Sequence, residues 1–278
     1  MNTLFVGVGA GSWDVRGRQL GGAVGARVTI APTAADLAWA DVVVLVKRAI
    51  ATFGAAVRRC GRPAVWDVLD VWQQPTQNAM REAEAVALVR RVAWPGLALI
   101  GATKAMAGAI GGTYLPHHAW PGLTPAPARE HVRVVAYQGA PHYLGRWAGW
   151  LATACGARGW QFVINPKDLR EADILVAFRD GPWDGWICRE WKSGVKVVNA
   201  LAAGRPILGQ PSAAMREIGA AGTVLETPEA LNDALETWAD YEARARVAEV
   251  ALDRSLAYRL DSIATMYRTV LEAQACPA

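Results

Sequence analysis

Short apolar runs alternate with helix-length stretches along the chain; the alternation breaks at a proline-rich segment and then resumes. In the first half the apolar runs are residues 4–8, 27–30, 41–46, 64–68 and 97–100, with helical stretches such as 76–92 between them. Strands that are apolar throughout and lie between helices are buried on both faces, which is the mark of a parallel sheet. Residues 116–130 carry four prolines, which stiffen a segment and exclude helix. After them come runs at 132–136, 160–164, 174–178, 206–208 and 223–225, a helix over 143–155 and another from about Ser193. Residues 228–275 read as nearly continuous helix, with apolar positions at helical spacing from Val247 to Leu271. The pattern predicts an α/β chain of two Rossmann-like domains facing each other across a cleft. Their expected extents are residues 1–128 and 129–257, followed by a terminal helix over 258–278. Ligands of such sheets gather at the carboxyl ends of the strands, so two facing sheets share one site.

Composition narrows the class of protein. The chain is 53% hydrophobic and 19% charged, enough apolar mass for two cores and unlike a disordered chain. No window of 18 uninterrupted apolar residues is present, so no membrane span is expected, and the first residues lack the basic start of a signal peptide. The four cysteines, Cys60, Cys155, Cys188 and Cys276, form no CxxC pair. This spacing predicts reduced thiols in a cytoplasmic protein, without a metal site. The net charge of +4 is uneven: residues 1–128 hold 12 Lys and Arg against 7 Asp and Glu, and residues 129–278 hold 17 against 18. An anionic partner should therefore meet the first half, unless the excess is ordinary solubility charge.

The first run ends in Gly7-Val-Gly-Ala-Gly-Ser-Trp13 and leads into a helix. Glycines permit a tight turn, and a helix start attracts anions. A dinucleotide site also needs an acid about 20 residues on, after the second strand. Here that region reads Val28-Thr-Ile-Ala-Pro32, so nicotinamide and flavin cofactors are not expected and no other cofactor is implied. Gly11, Ser12, Arg16 and Asp70 are candidate contacts to an acceptor substrate. Asp14 could take a proton from an acceptor hydroxyl, or serve as an acid in a helix first turn. Asp67 and Asp70, at the end of the 64–68 strand, are similar candidates, or either could be a cap. His117 and His118 stand at the start of the proline-rich segment, where it meets the first domain; His118 could be a general base, or both could pack against Trp120 and the prolines.

In the second half a polar, tryptophan-bearing loop follows the 174–178 strand, and Lys192-Ser193 opens a helix ending near Gly204. Ser193 suits an N-cap. Lys192 adds charge to a helix start, and Lys196 and Asn199 share one helix face. Arg179 and Asp180, at the strand end, could reach phosphate and sugar hydroxyls, or could form a surface ion pair. The segment Lys192-Ser-Gly-Val-Lys-Val-Val-Asn-Ala-Leu-Ala-Ala-Gly-Arg-Pro-Ile207 resembles the donor-binding segment of GT-B glycosyltransferases, especially family 4. Ala214-Met-Arg-Glu-Ile218 and Gly222-Thr-Val-Leu225 resemble its continuation, and Val134-Val-Ala-Tyr-Gln-Gly-Ala140 the turn that opens the second domain.

The resemblance implies a nucleotide-sugar donor held by Gly139, Arg179, Asp180, Lys192, Ser193, Lys196 and Asn199, with a last helix crossing back to the first domain. Family 4 enzymes carry two glutamates eight positions apart on this segment, and here Trp191 and Asn199 stand in their places. The implied activity is transfer of a sugar to an acceptor hydroxyl. A hydroxymethylated base in DNA is one candidate acceptor, given the basic first half; a small molecule or a glycan precursor is another. The same layout would also serve a non-catalytic module that binds nucleotide sugars.

Overall fold

The computed structural model describes residues 1–9, 11–70, 80–219 and 221–276. The first sheet contains β1 (Thr3–Val6), β2 (Arg27–Thr29), β3 (Val42–Val46), β4 (Ala64–Asp67), β5 (Leu97–Gly101) and β6 (Thr113–Tyr114). Its order is β2-β1-β3-β4-β5-β6, and every pairing is parallel. The second sheet contains β7 (Val134–Tyr137), β8 (Gln161–Ile164), β9 (Ile174–Ala177), β10 (Ile207–Gly209) and β11 (Gly222–Val224). It runs β11-β10-β9-β7-β8, again wholly parallel. The unbroken apolar runs are the cause: Val42–Val46 is buried at all five positions, with helices against both faces of the sheet.

In each sheet the strand order reverses once, between β1 and β3 in the first and between β7 and β9 in the second. A crevice opens at the carboxyl ends of strands that flank such a reversal. The loops after β1, β3, β7 and β9 therefore supply the walls of any site. Among the described residues, three non-glycine residues have left-handed backbone, Lys47 (φ 51°), Leu69 (φ 61°) and Asn165 (φ 55°). They follow β3, β4 and β8; Leu69 packs in the core.

Local capping sets several helix boundaries. Ala34–Trp39 starts at a reciprocal Thr33–Asp36 capping box. The helix expected over 76–92 runs over Glu82–Val92; its start is fixed by the Glu84 carboxylate, which accepts the Arg81 N–H at 2.9 Å. Residues 76–79 lie outside the described residues. The helix expected over 143–155 starts later, at Trp147, because Pro141–Tyr143 forms a tight turn first. The long terminal stretch is three helices, Leu231–Thr237, Tyr241–Arg254 and Leu260–Ala275, with Asp240 capping the second.

The last helix packs on the first sheet. Its Ile263, Ala264, Tyr267 and Leu271 are buried with Phe5, Leu20 and Val44, and the Tyr267 hydroxyl donates to Asp67 Oδ2 at 3.1 Å. A second element also crosses. The helix Trp186–Glu190 and the residue after it place Ile187 and Trp191 in the first domain's core, beside Trp66, Val68 and Met106. Glu217 accepts the backbone N–H groups of Lys104 (2.7 Å) and Ala105 (3.0 Å). A second-domain carboxylate thus caps the first-domain helix Lys104–Ile110, where the helix dipole favours negative charge. Among the described residues, no helix is long and apolar enough to cross a membrane.

Candidate functional site

The glycine-rich start is explained first by packing. A Cβ on Gly7 or Gly17 would overlap the Trp13 ring, so both glycines make the slot in which this indole is buried. Trp13–Gln19 is a wide helical turn with i→i+5 bonding, a form common at functional sites. It leaves Gly11 and Ser12 on the wall of the interdomain cleft. Asp14 accepts the Gly11 N–H at 3.1 Å and lies 3.4 Å from Arg18. Its half-exposed side chain borders a cavity together with His118, Trp120 and Asn199.

Arg16, expected to touch the acceptor, cannot do so. Its side chain is fully buried, donates to the Leu115 carbonyl at 2.5 Å, and lies 3.5 Å from Asp67. Burial outweighs this cation and the Tyr267 hydrogen bond, and raises the Asp67 pKa. Arg16, Asp67 and Tyr267 therefore anchor the returning helix beneath the site.

Asp70 is buried as well. It pairs with two ammonium groups: Lys192 donates to Oδ2, and Lys47 forms an ion pair at Oδ1, each at 2.5 Å. Burial alone would raise its pKa; the two lysines outweigh that and hold the carboxyl below the usual carboxylate range. Lys192 is therefore neutralised across the cleft rather than free for a phosphate, and Asp70 is a bridge rather than an exposed acceptor contact.

The donor-side residues separate into two groups. Asp180 is engaged by Arg146, through Nε and Nη2 at 2.9 Å each and the backbone N–H at 2.8 Å. Arg146 holds its pKa down, and its oxygens are committed to the turn before Trp147–Gly156. Ser193 is not a cap: the helix Val195–Ala203 starts after Gly194, and no side chain caps it. Ser193 remains on the cavity wall. Asn199 is buried, accepting the Trp120 N–H (2.9 Å) and donating to Gln138 (2.8 Å). It ties the proline-rich segment to the β7 turn.

Lys196 and Arg179 form the other group. Lys196 donates to the Tyr137 hydroxyl at 2.9 Å and lies over that ring. Neither residue has a carboxylate within ion-pair distance among the described residues, and Arg179 Nη1 is buried without a hydrogen-bond partner. Burial, then the charges of Arg179 and Lys192, hold the Lys196 pKa well below that of an ordinary lysine. Gly139, with φ 139°, is fixed by reciprocal bonds to Asn165 (2.7 and 3.0 Å). A Cβ there would stand 3.3 Å from Lys196 Nζ. Lys196, Arg179 and the uncapped start of Val195–Ala203 line one cavity.

His118 has Nδ1 2.7 Å from the Ala119 carbonyl and Nε2 3.1 Å from the Val15 carbonyl. Burial lowers its pKa, and lowers that of His117 further. A second cavity, of about 800 Å³, lies between the lobes. It is bordered by Lys47, Arg48, Tyr143 and Trp183, which sequence reasoning missed. Lys47 and Arg48 follow β3, and their signal was position: a strand end beside the reversal of strand order.

No protein-family model and no curated protein sequence matches the chain. Solved structures do. Anabaena HepE in complex with UDP-glucose aligns with a TM-score of 0.66 at 13% identity, over 98% of this chain and 99% of that one. AviGT4, a glycosyltransferase involved in avilamycin A biosynthesis, aligns at 0.63 and 14%, over 100% and 99%. The spinosyn rhamnosyltransferase SpnG, complexed with thymidine diphosphate, aligns at 0.54 and 15%, over 98% and 100%. These are GT-B structures. At such identities the likeness is one of fold, and the chain has the GT-B fold from end to end; assignment to family 4 does not follow.

Proposed function

We propose that this protein is a glycosyltransferase that moves a sugar from a nucleoside-diphosphate donor to an acceptor hydroxyl. The observation that carries this reading is the pair Lys196 and Arg179, two cations without carboxylate partners at the uncapped start of Val195–Ala203. Both are half-buried, and a partly desolvated charge without a counter-ion is costly unless a ligand compensates it. A diphosphate supplies that compensation, and helix starts favour it. The GT-B fold, seen elsewhere with UDP-glucose and thymidine diphosphate, supports the same donor class.

In the transfer, the acceptor oxygen bonds to the anomeric carbon while the bond from that carbon to the diphosphate oxygen breaks. The leaving diphosphate gains a negative charge, which Lys196 and Arg179 stabilise. The acceptor proton passes to a base. Asp14 borders, half-exposed, the cavity that His118 also lines; both His118 nitrogens face backbone carbonyls, so that ring accepts a proton only when Nε2 leaves Val15. His118 and Asp14 are the candidates for that role.

A hydroxymethylated DNA base gains no support as acceptor. The basic excess of the first half is dispersed: Arg16 is sealed, Arg27 pairs with Asp36, and Lys47 pairs with Asp70. Calorimetry with UDP-, dTDP-, GDP- and ADP-sugars tests the proposal. Binding of at least one at or below about 1 mM, lost in Lys196→Ala, is expected. Absence of binding across the panel would sink it.

A further inference from the structure

The larger interdomain cavity has an uneven wall. Lys47, Arg48 and Lys192 border it, and among the described residues no aspartate or glutamate does. Asp70 lies buried behind two of these cations and offsets one charge of the three. Arg48 is exposed and has no carboxylate within ion-pair distance among the described residues. It stands at the start of the twelve-residue helix Ala49–Cys60, which no side chain caps, so the positive end of the helix dipole adds to its charge.

These cations are not required by the donor. Lys196 and Arg179 line the other cavity, on the second domain, and Lys192 borders both. The second domain contributes aromatic rings to the wall of the interdomain cavity: Tyr143 and Trp183 meet edge to face with centroids 4.7 Å apart, and the Arg179 guanidinium lies over the Tyr143 ring at 4.9 Å. Aromatic faces pack against the C–H face of a sugar ring, and a guanidinium grips carboxylate or phosphate by paired N–H bonds.

We infer that the acceptor is a sugar bearing an anionic group, a carboxylate or a phosphate, with that group held by Arg48 and the start of Ala49–Cys60. The inference rests on the transferase reading, because it names the acceptor of that same cleft. Lys192 borders both the donor and the acceptor cavity, and Gly11 borders both the acceptor cavity and the one with Asp14 and His118, so the acceptor hydroxyl meets its base candidates past Gly11.

The test is calorimetry on the full chain with glucose, glucuronic acid and glucose 6-phosphate. The protein is first saturated with whichever of UDP, dTDP and GDP binds, or used alone if none does. At least one anionic sugar should bind tenfold or more tighter than glucose. Arg48→Gln should remove that preference and Arg48→Lys should keep part of it. The two anions distinguish carboxylate from phosphate. Undetectable binding of both anions, affinity no better than that of glucose, or a preference that survives Arg48→Gln would overturn the inference. The nucleotide titration is read separately: loss of nucleotide binding defeats the donor assignment, whereas loss of the sugar preference alone defeats only the acceptor.

Discussion

Asp70 and Lys192, 122 residues apart in sequence, form a 2.5 Å ion pair that joins the two lobes across the floor of the cleft. Lys47 shares the same carboxylate. Removing one partner of a buried pair leaves the other charge uncompensated, at a cost of about 3–5 kcal/mol. Asp70→Asn should therefore lower unfolding stability by about that amount, measured by urea denaturation. A Lys192→Met background should shrink the loss, since one of the stranded charges is then gone.

Lys196 predicts a pH profile. In the free protein burial and the neighbouring cations weaken its hold on a proton. A bound diphosphate reverses this, so binding takes up a proton once the pH exceeds the lowered value. Nucleotide affinity should fall as pH rises through that value, and the slope should vanish in Lys196→Met. Stability moves the opposite way. Between the lowered folded pKa and the ordinary 10.5, the unfolded chain holds more protons, so raising the pH favours the folded state. Titration calorimetry and urea melts at several pH values check both signs.

Gly139→Ala should loosen the donor pocket. The backbone there is left-handed, and the new methyl would stand 3.0 Å from the Tyr137 hydroxyl and 3.3 Å from Lys196 Nζ. We expect a stability loss of about 1 kcal/mol with a several-fold weaker nucleotide affinity. Unchanged affinity would place Lys196 away from the diphosphate.

Trp191→Ala should be among the most destabilising single changes. The side chain is fully buried in the first domain's core although it belongs to the second. Large aromatic truncations in cores cost about 3–5 kcal/mol. Denaturant melts followed at the two lobes should show both weakened together, not the second alone.

The alternation of strands and helices was legible because each rests on local spacing, and the helix Val195–Ala203 was nearly placed by its own motif. The short sixth strand, Thr113–Tyr114, carries too few residues to leave a pattern. Side-chain roles were harder, because they depend on partners far along the chain. Arg16 read as a cleft residue; its burial is set by Leu115, by Asp67 and by Tyr267, itself 200 residues from Asp67. Lys192 read as a phosphate ligand; its proton bonds to an acid 122 residues earlier. Ser193 satisfied a capping rule, yet the cap position falls one residue beyond it, at Gly194, and the helix begins at Val195. The cationic pair Lys196 and Arg179 was visible in sequence as charge, but its lack of counter-ions is a property of the packed chain.

The wedge of Ile187 and Trp191 has a consequence for recombination. Lobes joined only by a hinge can be exchanged between relatives as independent parts. Here one lobe's interior is completed by the other's side chains, so a hybrid with a foreign first half would carry an indole with no socket. Viable chimaeras should move the crossover point so that residues 186–191 travel with the half they fill.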